Sequence, residues 1–374
     1  MQKNSENNIN SQSLKDIQFK HGGNLLSKAK QLNLLPSEII DSSASLVPFD
    51  PPKILLDALN SEIKTQRFRY YPESNLNHLK DIIGEFHQIN PERILPGNGA
   101  SELITWAGYE ASKFGKSSLP SPGFVDYERY LKCWDGNFSY SKLPQQWNNS
   151  FPQSFPLKPI CDVIWITNPH NPTGQLWDKD SLEDMLKQYK LVICDEAFLA
   201  MTPEGEKQSL IPFTKKYDNL LVIRSLTKLF NIAGLRLGYV IGAPNKIIKW
   251  NLKRDPWPLN SFAIKAGITL LRDRMFYEEW TKKIHDWIIT EKTLVINELS
   301  KIQHLKVHYS STNFFLIESK YSLSSNIEYL ENKGILIREC TSFKFLNERW
   351  ARISLQSKKN NEILCRELQN SFKK

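Results

Sequence analysis

Lys228 lies in the stretch RSLTKLFNIAGLRLGY (residues 224–239), just past the apolar run NLLVI (219–223). Ser225 and Thr227 flank it with hydroxyls, and a second cation, Arg236, follows closely. A lysine at a strand end is in most proteins an exposed cation and nothing more. Hydroxyls and a guanidinium beside it are what a phosphate needs, because arginine presents a rigid fork of charge-assisted donors. A second stretch, GNGASELITWAGYEAS (97–112), reads as a glycine turn that opens a helix. Its start, Gly99-Ala100-Ser101, adds free backbone N–H groups and the positive end of a helix dipole. Taken alone, GNGASE is equally a plain turn, and Glu102 in its last position breaks the dinucleotide GxGxxG pattern.

A lysine beside a phosphate cradle suggests a phosphorylated aldehyde held as a Schiff base, pyridoxal 5′-phosphate. Three more residues suit that group. Asp195 ends the apolar run LVIC, where a buried carboxylate needs a cation. A pyridinium N–H supplies one, and each charge favours the other. The plainer reading of Asp195 is a helix cap or an ion pair. Asn171, in NPHNPTG (168–174), has an amide suited to a phenolate oxygen, although that Pro- and Gly-rich turn is rigid for any purpose. Phe124, in SPGFVDYERY (121–130), has a face that would cover a ring, or simply packs.

These residues need a scaffold that brings them together. DVIWIT (162–167), LVICDE (191–196), LLVIR (220–224) and LGYVIG (237–242) are apolar runs separated by helix-length segments such as SLEDMLKQY. The pattern predicts an α/β fold, a mostly parallel sheet with helices on both faces. Asn168–Gly174, Asp195–Glu196 and Ser225–Lys228 would all lie where strands end, the edge at which such sheets bind ligands. Beyond about residue 266 the character changes. FYEEWTKKIHDWIITEKTLVINELSKI has helical spacing, and FFLIES and ILIREC alternate with further helical segments. The expected organisation is a loose tail over 1–20 and a segment 21–50 packing with the small domain. A large domain follows over 51–265, then a smaller α+β domain over 266–374.

With 374 residues, the chain exceeds what one small core organises. Its 40% hydrophobic and 24% charged residues are ordinary globular composition. No apolar run approaches the ~20 residues of a membrane span, and the polar start lacks a signal-peptide core. Five scattered cysteines, without CxxC, predict free thiols in the cytoplasm. The net charge of +9 is dispersed, which predicts no nucleic-acid partner and suits a basic funnel for an anionic substrate. His304 and His308 lie four apart in HLKVHY, a strand-like alternation with no third ligand, so no metal site is expected.

NPHNPTG, then DEAF, then SLTK with GLRLGY, in that order, resemble the pyridoxal-phosphate aminotransferase superfamily of fold type I, over residues 21 to 370 or so. The resemblance implies a homodimer. It implies Lys228 as the Schiff-base lysine, Asp195 on the pyridine nitrogen and Asn171 on the ring oxygen. Ser225, Thr227 and Arg236 would hold the phosphate with Gly99, Ala100 and Ser101, and Phe124 would stack on the ring. Tyr71, in RYYP, would reach the partner's cofactor phosphate. Many relatives carry tyrosine where DEAF places Phe198, so that phenol contact is expected to be missing and Asn171 to carry it.

HGGN (21–24), DSSA (41–44), RYYPE (69–73), DPWPLN (255–260), ILIREC (335–340) and ARISLQ (351–356) narrow the resemblance to threonine-phosphate decarboxylases of cobalamin biosynthesis. Histidinol-phosphate aminotransferases are close relatives of that family. His21 would then bind the substrate phosphate, Arg338 and Arg352 its phosphate and carboxylate in either assignment, and Asn313 would line the site. DSSASLVP lacks the asparagine-proline ending of relatives, and His170 stands where the decarboxylases suggest asparagine. Both reactions remain open, because each breaks whichever Cα bond stands perpendicular to the ring. A cofactor-sensing DNA-binding regulator would need a reading module that twenty polar residues do not provide.

Overall fold

A computed structural model of the chain describes residues 22–373. The tail expected over 1–20 and His21 lie outside the described residues. In chain order the strands are β1 (Ile40–Asp41), β2 (Ile94–Asn98), β3 (Ser117–Ser121), β4 (Phe138–Lys142), β5 (Val163–Thr167), β6 (Leu191–Asp195) and β7 (Leu220–Ser225). Then come β8 (Leu237–Ile241), β9 (Leu305–Val307), β10 (Phe314–Ser319), β11 (Ile335–Leu336), β12 (Arg338–Glu339) and β13 (Trp350–Ser354). Seven form one sheet in the order β2–β8–β7–β6–β5–β3–β4.

The central strands are apolar throughout because both faces of the sheet are covered. Side chains alternate along a strand. Accordingly Ile164, Ile166, Val192, Cys194 and Val222 join one buried cluster. Val163, Trp165, Leu191, Ile193 and Leu221 join the cluster on the other face. Helix Gly99–Phe114 covers the second face with Leu103, Ile104 and Ala107. Helices Asn77–His87 and Ser261–Arg272 cover the first with Leu79, Ile83, Ala266 and Leu270.

Strands β4, β3, β5, β6 and β7 are mutually parallel, and β8 lies antiparallel between β7 and β2. The reversal at β8 follows from its connection. Leu226–Arg236 contains only a helical turn at Ala233–Leu235, whereas a parallel return needs a crossover of a dozen or more residues. The pairing brings the ends of β2, β5, β6 and β7 to one edge: Asn98 faces Leu237, Ser225 faces Gly238, and Thr167 faces Asp195.

The C-terminal part builds a second sheet, β12–β13–β10–β9, antiparallel throughout. Its longest helix is Arg274–Leu299, started by the Asp273 side chain accepting from Phe276 N–H at 3.0 Å. Strand β1 pairs in parallel with β11, Ile40 beside Ile335, so the N-terminal segment adheres to this second unit. Among the described residues no helix is long and apolar enough to cross a membrane. His304 and His308 flank β9; His308 sits between the Trp147 and Trp350 rings at 4.8 and 4.9 Å, its Nε2 3.2 Å from Glu318.

Candidate active site

A cavity of about 510 Å³ opens at the shared strand edge, between the two sheets. The large sheet supplies Asp195 from the end of β6, Asn171 from the turn after β5, and Ser225, Thr227 and Lys228 from the end of β7. The small sheet supplies Arg338 and Arg352, which are cross-strand partners on β12 and β13. Ala100, Ser101, Phe124 and Arg236 complete the lining taken from the expected set.

Lys228 is half-buried, its Nζ 5.8 Å from the Phe198 ring centroid. Burial, then the Arg352 and Arg236 charges, push its amine down to about 8, with Asp195 opposing. About a tenth of it is therefore the neutral nucleophile at pH 7, far more than for an unperturbed lysine. Asp195 is buried; its Oδ1 accepts from Ala197 N–H at 3.0 Å and its Oδ2 from the Tyr127 hydroxyl at 2.8 Å. Burial raises its carboxyl, while Tyr127, Ala197 and Lys228 pull the other way.

Gly99, itself outside the lining, lies against Arg236, which lines the cavity. Gly99 has φ +71°, and a Cβ there would come within 2.6 Å of Arg236 Nη2, so only glycine lets the guanidinium lie against the helix start. Gly99 N–H is already given to the Arg236 carbonyl at 3.0 Å. The next first-turn amides, on Ala100 and Ser101, have no intrahelical acceptor. Arg236 itself takes a left-handed φ of 59° and donates to Ala233 O at 3.3 Å. Ser225 Oγ accepts from Thr227 N–H at 3.3 Å, which fixes the hydroxyl turn before Lys228.

Arg352 is buried. It donates from Nη1 to Asn171 Oδ1 at 2.6 Å and from Nη2 to Ser43 O at 3.0 Å, and its Nε has no acceptor. Burial, then the adjacent Arg338 charge, push it down to about 10. Because a guanidinium only donates, the Asn171 atom facing it is the carbonyl oxygen, and the Asn171 NH₂ is left as a donor. Arg338 donates from Nη2 to Ser342 Oγ at 2.6 Å.

Not every expected residue reaches the cavity. Asn313 is fully buried and is not part of the lining; its amide holds Leu46 O at 3.3 Å, and Leu46 is the residue that lines the cavity. Tyr71 is 78% exposed and stacks on Trp257 at 4.3 Å, away from this cavity. His170 is buried, bonded through Nδ1 to Thr173 Oγ1 at 2.9 Å and pushed by burial down to about 3. Phe198 packs edge-on against Phe314 at 5.0 Å and offers no phenol. Gly22 and Gly23 of HGGN and Ser43 of DSSA line the cavity; Phe343 and Thr167 also line it, and Tyr127 touches Asp195, without having been named as site residues from the sequence. Tyr127 had one usable signal: a tyrosine on the buried face of a helix needs a partner for its hydroxyl.

The family model for aminotransferase class I and II matches residues 37–368. A protein of Caldanaerobacter subterraneus subsp. tengcongensis, provisionally named a threonine-phosphate decarboxylase, is 32% identical over 95% of this chain and 94% of its own. The threonine-phosphate decarboxylase of Salmonella typhimurium is 28% identical over 94% of this chain and 96% of its own. The crystal structure of the histidinol-phosphate aminotransferase from Clostridium acetobutylicum superposes with a TM-score of 0.78 at 28% identity, covering 90% of this chain and 99% of that one. Pyridoxal 5′-phosphate fits the donor set. The Gly99–Arg236 cradle suits its phosphate, Asp195 its ring nitrogen, the Asn171 NH₂ its ring oxygen and the Lys228 amine its aldehyde. The chain thus belongs to the class I and II aminotransferase family of fold type I, whose cofactor is pyridoxal 5′-phosphate.

Proposed function

We propose that this enzyme decarboxylates L-threonine O-3-phosphate to (R)-1-aminopropan-2-yl phosphate and carbon dioxide, a step of cobalamin biosynthesis. The observation that carries this reading is the pair Arg338 and Arg352 in one cavity, in addition to Arg236. With Arg236 at the cofactor phosphate, two guanidiniums remain for a small substrate with two anionic groups. Threonine phosphate carries its carboxylate and its phosphate on adjacent carbons. The decarboxylase relatives support the same choice.

When bound, the cofactor supplies an aldehyde that condenses with amines and a protonated ring that accepts the electron pair released at Cα. Asp195 would keep a proton on the ring nitrogen, and the Asn171 NH₂ would stabilise the ring oxygen. Arg352 and Arg338 would hold the substrate anions and so orient its carboxylate for loss as carbon dioxide. Lys228 Nζ would deliver the proton that replaces the lost carboxylate at Cα. Gly22 and Gly23 line the cavity, and we assign His21, their neighbour in sequence, to the substrate phosphate. We also infer a cytoplasmic homodimer. Exposed Tyr71, Phe68, Ile63 and Ile54 are apolar surface for a second copy, from which Tyr71 would reach the partner's cofactor phosphate.

A second reading, an aminotransferase of the histidinol-phosphate type acting on a phosphorylated or other amino compound, is supported by the Clostridium structure. The two differ in their need for a 2-oxo acid. With threonine phosphate and no oxo acid, the decarboxylase releases carbon dioxide over many turnovers. A single turnover that stalls and restarts on adding a 2-oxo acid overturns the proposal in favour of the second reading.

A further inference from the structure

We propose that Tyr127 is a positioning residue for the cofactor, its hydroxyl donating to Asp195 so that this carboxylate stays ionised against the ring nitrogen. This rests on the assignment of Asp195 to that nitrogen.

Tyr127 lies on the helix Asp126–Lys132 and is only 4% exposed. Its oxygen is 2.8 Å from Asp195 Oδ2 and 2.9 Å from Thr167 Oγ1. Thr167 and Asp195 are register partners at the ends of β5 and β6. An ionised carboxylate can only accept, so the single phenol proton points to Asp195 and the Thr167 hydroxyl must donate to the phenol oxygen. The result is a one-way chain, Thr167 to Tyr127 to Asp195, in which each donor polarises the next.

The chain addresses a specific difficulty. Asp195 is buried, and burial alone favours its neutral acid. A neutral Asp195 facing the ring would leave the proton on the carboxyl rather than on the nitrogen. The other groups acting on Asp195 are the Ala197 N–H on Oδ1 and the Lys228 amine, whose own proton affinity is reduced. Among the described residues, Tyr127 is thus the only neutral side-chain donor bonded to this carboxylate. Burial and the Asp195 charge hold its phenol well above the usual range, so it keeps its proton while donating.

The ring of Tyr127 packs separately from its hydroxyl, 5.3 Å edge-on from Phe124 and 5.0 Å from Trp165. Tyr127→Phe therefore removes the donor and retains the packing. The test reconstitutes the holoenzyme with pyridoxal 5′-phosphate labelled with ¹⁵N at the ring nitrogen. The nitrogen resonance and the rate of cofactor release are recorded for wild type, Tyr127→Phe, Thr167→Val and Asp195→Asn. We expect Tyr127→Phe to shift the proton from nitrogen towards Asp195 by roughly tenfold, moving the resonance towards its unprotonated position, and to speed release by a similar factor. Thr167→Val should move both in the same direction by less. If Asp195→Asn abolishes the protonated signal while Tyr127→Phe leaves signal and release as in wild type, the role of Tyr127 is overturned. If Asp195→Asn also leaves the signal unchanged, the assignment of Asp195 falls too.

Discussion

Arg352 on β13 donates to Asn171 in the turn after β5 at 2.6 Å, joining the small sheet to the large one at the cavity. One guanidinium thereby orients the amide proposed for the cofactor while lining the cavity proposed for the substrate. The Nη2 contact to Ser43 O fixes it from a third segment.

Arg352→Lys retains the charge but loses this fork. One ammonium cannot hold Asn171 and Ser43 in the same planar geometry while meeting a carboxylate. The KM for the anionic substrate should rise about 10- to 100-fold, with bound cofactor at wild-type stoichiometry. Equal KM values in steady-state assays would remove Arg352 from the substrate.

Gly99→Ala places a methyl at a φ of +71° and within 2.6 Å of Arg236 Nη2. The guanidinium must move away from the helix start. Cofactor affinity should fall about tenfold, and apo-protein stability by about 1–2 kcal/mol. Titration of the apo-protein with cofactor checks the first and urea unfolding the second; an unchanged Kd would show that this cradle does not hold the phosphate.

The Lys228 amine is pushed from 10.5 down to about 8 in the folded chain. Between those values the unfolded chain binds more protons than the folded one, so wild-type apo-protein gains stability from this group as pH rises through that window. Lys228→Met should therefore raise the melting temperature of the apo-protein below pH 8. That advantage should shrink as pH approaches 10.5. Melting curves with a pH-independent difference would contradict a depressed lysine.

Behind the cavity, Arg224 is buried between two carboxylates, 2.8 Å from Glu196 and bidentate to Glu206 at 2.8 and 2.9 Å. Glu196 follows Asp195, and Arg224 precedes Ser225, so this pairing ties the ends of β6 and β7 from the far face. Arg224→Met leaves Glu196 buried without its cation and should cost about 3–5 kcal/mol. A urea midpoint equal to that of wild type would mean that the pair is dispensable.

The fold was legible where one physical demand dominated. Doubly covered strands must be continuously apolar, and DVIWIT, LVICD and LLVIR are. The convergence of Ala100, Ser101, Ser225, Thr227 and Arg236 on one cavity was legible because hydroxyls, a glycine turn and an arginine have few other reasons to group. What could not be read depended on pairs distant in the chain. Tyr127 meets Asp195 across 68 residues, and Asn171 meets Arg352 across 181. The family resemblance implied Asn313 as a lining residue, yet it lies outside the lining and supports the Leu46 carbonyl. The direction of β8 depended on a connection too short for a crossover, which apolar patterning does not reveal.

The most direct measurement is the chemical location of the cofactor. Holoenzyme reduced with borohydride, digested and sequenced by mass spectrometry should carry the pyridoxyl group on Lys228 alone, and Lys228→Ala should yield no labelled peptide. A label on any other lysine, or one that persists in Lys228→Ala, would contradict the assignment on which the site is built.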